Sequence, residues 1–139
     1  MVLFLEHFEE AMLTLHLPCN WNEKSRKFHD NGSKDWQTNP GHTANHYHDG
    51  FSRTVGRDTL LDIETAKLLG ATLDTSHRGF HARNTYVARS QYLIAFTFGT
   101  GDVPKDGGTK YTWSLSHAIK VHVPLQSLTR AHDTKVKYV

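Results

Sequence analysis

Along the first third of the chain the apolar positions come at helical intervals and then thin out. Leu5, Phe8, Met12 and Leu15 recur with a period near 3.6, while Glu6, Glu9 and Glu10 take the other side. That spacing predicts an amphipathic helix over residues 3–15, ended by Pro18, with a short strand around residues 17–21. Residues 22–51 are dominated by Asn, Asp, Gly, Lys and His and predict a long polar loop, anchored by Trp36 and Tyr47. A second helix is expected over 57–69, where Leu60, Leu61, Ile63, Ala66, Leu68 and Leu69 precede Gly70 at the C-terminal cap. A third is expected over 80–90.

The strongest strand signal is Tyr92-Leu93-Ile94-Ala95-Phe96-Thr97-Phe98-Gly99, a nearly unbroken apolar run of the kind buried on both faces. A glycine-rich loop over 99–109, a short helix over 111–117 and the alternating Ile119–Leu125 segment follow. Strand, loop, helix and strand make a βαβ unit and so a parallel pairing. The expected class is α/β: a Rossmann-like three-layer domain with a small, mostly parallel sheet and flanking helices. It spans residues 1–128 as a single domain, followed by a polar tail over 129–139.

Composition narrows the class. With 139 residues and 37% hydrophobic positions, one domain with a modest core is expected. No apolar run has the length of a membrane span, and the N-terminus lacks the pattern of a signal peptide. The single Cys19 excludes an internal disulfide framework and suits a reducing, cytoplasmic setting; beside Pro18 it reads as a small buried residue. The net charge of +2 is uneven, since Lys and Arg predominate after residue 70 and Asp and Glu before it. A basic second half can attract phosphate. The absence of long like-charge blocks argues against a nucleic-acid partner.

Eleven histidines are many for this length. His42, His46 and His48 stand as H-x-x-x-H-x-H, a spacing that serves a metal on a helix but fixes no geometry in the expected loop. They are weak metal candidates, and no metal or other cofactor is expected. Ser114, Ser116 and His117 share one expected helix and do not form a hydrolase triad by spacing.

Two segments flank the strong strand. Arg83 and Asn84 open the run R-N-x-x-x-A-x-S-x-x-L-I-A-F before it, and Gly107-Gly108-Thr109 follows it. Glycines beyond a strand's C-terminal end allow backbone amides to turn towards an anion, and a helix N-terminus adds free N–H groups and partial positive charge. The Thr109 hydroxyl can donate to a phosphate oxygen, and Arg83 offers a planar fork suited to phosphate.

This paired pattern, with the later V-H-V-P-L strand, resembles the SLOG superfamily of Rossmann-like proteins, which includes DprA-like, YspA-like and LOG-like groups. The resemblance covers residues 57–128. It implies a nucleotide-binding domain and a homodimer, with Arg83 and Asn84 as the arginine–asparagine pair and Gly107, Gly108 and Thr109 as the phosphate loop. Two features depart from it. The run Asp106-Gly107-Gly108-Thr109-Lys110-Tyr111 lacks the second glycine and the catalytic glutamate of LOG-type phosphoribohydrolases. The usual first strand and glycine turn are also missing ahead of the first expected helix, which leaves a core completed by dimerisation or by a longer parent chain.

The expected function is therefore binding of a nucleotide or nucleotide-derived phosphorylated ligand through Arg83, Asn84, Gly107, Gly108 and Thr109. One alternative is an N-glycosidic hydrolase or transferase acting on a nucleotide, for which Asp106 is the weak catalytic candidate. A second is a single-stranded DNA-binding protein using Lys105, Lys110, Arg130, Lys135 and Lys137.

Overall fold

A computed structural model describes residues 12–97 and 99–125. Helices and short, mostly parallel strands make a mixed α/β fold. The chain divides into two compact units, residues 1–83 and 84–139.

In the first unit, β1 (Thr14–His16) pairs in parallel with β4 (Thr72–Asp74), in the register Thr14↔Thr72, Leu15↔Leu73 and His16↔Asp74. Between them lie the antiparallel hairpin β2 (Trp21–Asn22) and β3 (Lys27–Phe28), helix α1 (Pro40–Val55) and helix α2 (Leu61–Leu68). The hairpin turn closes on Asn22, whose side-chain oxygen accepts from the amides of Lys24 and Ser25, and Arg26 sits at φ 55°. The expected helix over 3–15 mostly lies outside the described residues. Its last part is strand, since the β-branched Thr14 begins β1 and Leu15 packs against the core. That core joins Leu17, Phe28, Ala44, Leu60 and Ile63, with Trp21, Leu73 and Phe80 against it.

Helix α1 corrects the expected loop over 22–51. Pro40 stands in its first turn, where its missing N–H costs nothing, and Gly56 ends it at φ 72°. Few of its residues are buried: Pro40, Gly41 and Ala44 are, whereas Tyr47, Phe51 and Val55, four apart along one side, are exposed. Polar contacts dock it instead. Asn45 Oδ1 accepts from the Phe28 amide at 2.9 Å and its Nδ2 donates to the Phe28 carbonyl at 3.0 Å, so one side chain serves β3 as a neighbouring strand would. Gly41 lies so close to the hairpin that a Cβ there would stand 1.8 Å from the His29 carbonyl oxygen.

Helix α3 (Phe80–Val87) runs from the first unit into the second. The second unit contains β5 (Tyr92–Thr97), helix α4 (Gly107–Leu115) and β6 (Ile119–Pro124). β5 and β6 are parallel, from Tyr92↔Ile119 to Thr97↔Pro124, and α4 packs on β5. This is the expected βαβ unit, with α4 starting earlier than expected. Lys120 Nζ closes the end of α4 by donating to the carbonyls of Trp113 and Ser116, both at 3.0 Å. The expected burial of β5 on both faces is not found. Ala95 is buried, but Tyr92, Ile94 and Phe96, with Ile119 and Val121 alongside, are each more than half exposed. Among the described residues β5 pairs with β6 alone, in a two-stranded sheet.

Candidate functional site

The glycine segment forms the first turn of α4, at the C-terminal side of β5. Asp106 precedes it in extended conformation without capping the helix through its side chain, and Gly107 takes φ 77°. A left-handed φ at this point is cheap only for glycine, which is why the turn into α4 falls here. Gly107, Gly108 and Thr109 are exposed. Asn84 joins them: its side-chain amide nitrogen would lie 3.5 Å from a Cβ built on Gly108. Within the second unit, Asn84 thus lies beside the glycine turn. Thr112 is buried one turn on, and its hydroxyl donates to the Gly108 carbonyl at 2.9 Å.

The loop between β5 and α4 is pinned from below. His122 on β6 donates from Nδ1 to the Gly101 carbonyl at 2.8 Å, while its Nε2 pairs with Thr97 Oγ1 at 2.7 Å. The Gly99 amide in turn donates to Thr97 Oγ1 at 3.2 Å. One imidazole therefore ties the end of β5 to the loop that leads to Gly107. Its place in the sequence, as the polar residue of V-H-V-P-L, gave no sign of this.

Arg83 belongs to the first unit. Its guanidinium donates to the His16 carbonyl at 3.2 Å and lies 5.9 Å from the centre of the Phe80 ring. Burial lowers its pKa, yet guanidinium remains charged at any physiological pH. Arg83 thus tethers the end of β1 within the first unit.

The three clustered histidines do not share a point. His42 Nδ1 pairs with Asp30 Oδ2 at 3.0 Å, on the side of α1 where His46 lines a polar cleft of about 440 Å³. His48 instead pairs through Nδ1 with Thr59 Oγ1 at 2.9 Å, and burial lowers its pKa. Asp30 is committed to the fold: Asn39 Nδ2 donates to Oδ1 at 2.7 Å and the Gly32 amide at 2.8 Å. These bonds, led by that from Asn39, hold its pKa at about 2.

A cluster with no motif in the sequence lies at the C-terminal ends of β1 and β4. His16, Asp74 and His77 meet there, with His16 and Asp74 58 residues apart along the chain.

No protein-family profile matches the chain. No solved structure matches it. It is similar to an uncharacterized protein of Acanthamoeba polyphaga mimivirus, with 34% identity over 125 residues. That alignment covers 88% of this chain, which spans 62% of the length of the curated relative it matches.

Proposed function

We propose that this protein binds a nucleotide or nucleotide-derived phosphorylated ligand, with the phosphate at the start of α4, in a Rossmann-like domain of the SLOG type. The observation that carries the reading is the exposed Gly107-Gly108-Thr109 turn. It opens the nine-residue helix that follows a strand, across a loop, in a parallel βαβ unit, with the Asn84 amide beside it. Ligands of open parallel sheets sit beyond the carboxyl ends of the strands, and helix N-termini favour anions. Asn84 Nδ2, the Thr109 hydroxyl and the amides of Gly108 and Thr109 supply neutral donors, all within the second unit.

Calorimetric titration with ADP-ribose, NAD, AMP and other nucleoside monophosphates tests this. Saturable binding is expected for at least one of them. Asn84→Ala and Thr109→Val each remove a donor to a charged group, worth about 1.5–3 kcal/mol, or roughly a 10- to 100-fold loss of affinity. No saturable binding, or affinities untouched by both substitutions, overturns the reading. Release of free base during the same titrations would move the function to the N-glycosidic reaction, with Asp106→Asn as its test.

A further inference from the structure

We propose that His16, Asp74 and His77 form a binding site for one divalent transition-metal ion of the Zn²⁺ class, with solvent completing its coordination. Among the described residues, these three side chains bring one donor atom each to within 4.8 Å of the others. His16 Nδ1 is 2.8 Å from Asp74 Oδ2, His77 Nε2 is 3.0 Å from the same oxygen, and the two nitrogens are 3.5 Å apart. A tetrahedral Zn²⁺ with bonds near 2.0–2.1 Å has its ligand atoms about 3.3 Å apart. The triangle already has nearly that size. Metal entry needs its two short edges to open by a few tenths of an ångström, while the nitrogen–nitrogen edge is in place.

The chain builds the triangle from rigid parts. His16 and Asp74 are register partners at the ends of two parallel strands, so their side chains emerge side by side. The Leu17 amide donates to the Asp74 carbonyl at 2.9 Å and continues the pairing past the last rung. Asp74 divides its two oxygens. Oδ1 accepts from the Ser76 amide at 2.9 Å and the Ser76 hydroxyl at 2.6 Å, which turns Oδ2 towards the imidazoles. His77 is delivered by the turn that follows, held where the Gly79 amide donates to the Pro18 carbonyl at 2.7 Å.

Imidazole nitrogen with one carboxylate oxygen is a donor set that Zn²⁺ accepts, and carboxylates fixed by an outer hydrogen bond are characteristic of metal ligands. About a quarter of the His16 and Asp74 side-chain surface is exposed, so water can reach the ion, whereas His77 is more enclosed. Three protein ligands and an accessible position define an open site rather than a sealed structural one.

The test uses the untagged full chain, with Zn²⁺ by calorimetry and Co²⁺ by visible absorption, and no nucleotide present. One equivalent of Zn²⁺ should bind, and Co²⁺ should give the intense bands of a four-coordinate ion. His77→Ala and Asp74→Asn should weaken binding at least about 100-fold. Ser76→Ala leaves all three ligands in place and should weaken it about 10-fold, as loss of an outer-shell partner does. His42→Ala should leave it unchanged, and circular dichroism confirms that each variant folds. Three results overturn the site: no stoichiometric binding, binding unaffected by His77→Ala and Ser76→Ala in folded protein, or binding lost in His42→Ala. Because nucleotide is absent, none of them bears on the proposed ligand site.

Discussion

Gly41→Ala adds one methyl group where helix α1 meets the hairpin, and the structure leaves no room for it. The new Cβ would lie 1.8 Å from the His29 carbonyl oxygen, 2.8 Å from its carbon and 3.2 Å from Cys19 Sγ. Cβ atoms essentially never come within 3.0 Å of such a neighbour, so the helix start or the hairpin must retreat by roughly 1 Å. Both obstructing atoms of His29 are backbone, with no rotamer to relieve them. Retreat would stretch the paired bonds between Asn45 and Phe28 and loosen Ala44 from the core. Overpacking of this kind costs ~1–3 kcal/mol even where side chains can yield, so a loss of at least ~2 kcal/mol is expected. For a chain of this size that lowers the melting temperature by about 6–10 °C. Gly50→Ala, on the same helix, is the control. Its Cβ meets nothing within 4 Å, and replacing a mid-helix glycine gains about 0.5–1 kcal/mol. Thermal unfolding followed by circular dichroism should move the two variants in opposite directions. A Gly41→Ala protein that melts within 2 °C of the parent, a margin of roughly 0.5 kcal/mol, would refute the docking of α1 described above.

Three further outcomes follow from particular residues. Asp30 has its pKa lowered from 3.8 to about 2 by Asn39, Gly32 and His42, so its contribution to stability is present above the unfolded value. It should fade as pH falls from about 4 through about 2, and in urea titrations Asp30→Asn should flatten the pH dependence across that window. Burial raises the pKa of the Cys19 thiol. It should therefore react with an aromatic disulfide at pH 8 more slowly than free cysteine and reach the free rate in denaturant; equal rates in the folded protein would contradict its placement. The exposed apolar face of Tyr92, Ile94, Phe96, Ile119 and Val121 suits the expected homodimer. Sedimentation should show a dimer that Ile94→Glu converts to monomer, and a parent that sediments as a monomer would remove that expectation.

The parts of the fold legible in the sequence are those that carry an apolar run, alternation or period. The run from Tyr92 to Thr97 is β5, the alternation from Ile119 is β6, and Ile63 and Ala66 are the buried residues of α2. Helix α1 is harder to read because Asn45 and Gly41 dock it through backbone contacts, while its periodic apolar residues Tyr47, Phe51 and Val55 stay exposed among histidines and glycines that suggest a loop. The end of the expected first helix failed where Leu15 fits a helical period yet pairs with Leu73 in a strand, a partner far along the chain. Of the candidate ligand site, Asn84 and the glycine turn were readable as local pattern. His122, which secures the loop, and the His16–Asp74–His77 triangle were not, because long-range strand register brings their partners together.

In the proposed ligand site a phosphate sits on the first turn of α4. Amide NMR of the isotopically labelled chain, titrated with AMP and separately with adenosine, tests it most directly. AMP is expected to shift the amides of Gly107, Gly108 and Thr109 and the side-chain amide of Asn84 saturably, while adenosine leaves them in place. Shifts confined to other residues, or equal shifts with adenosine, would contradict it.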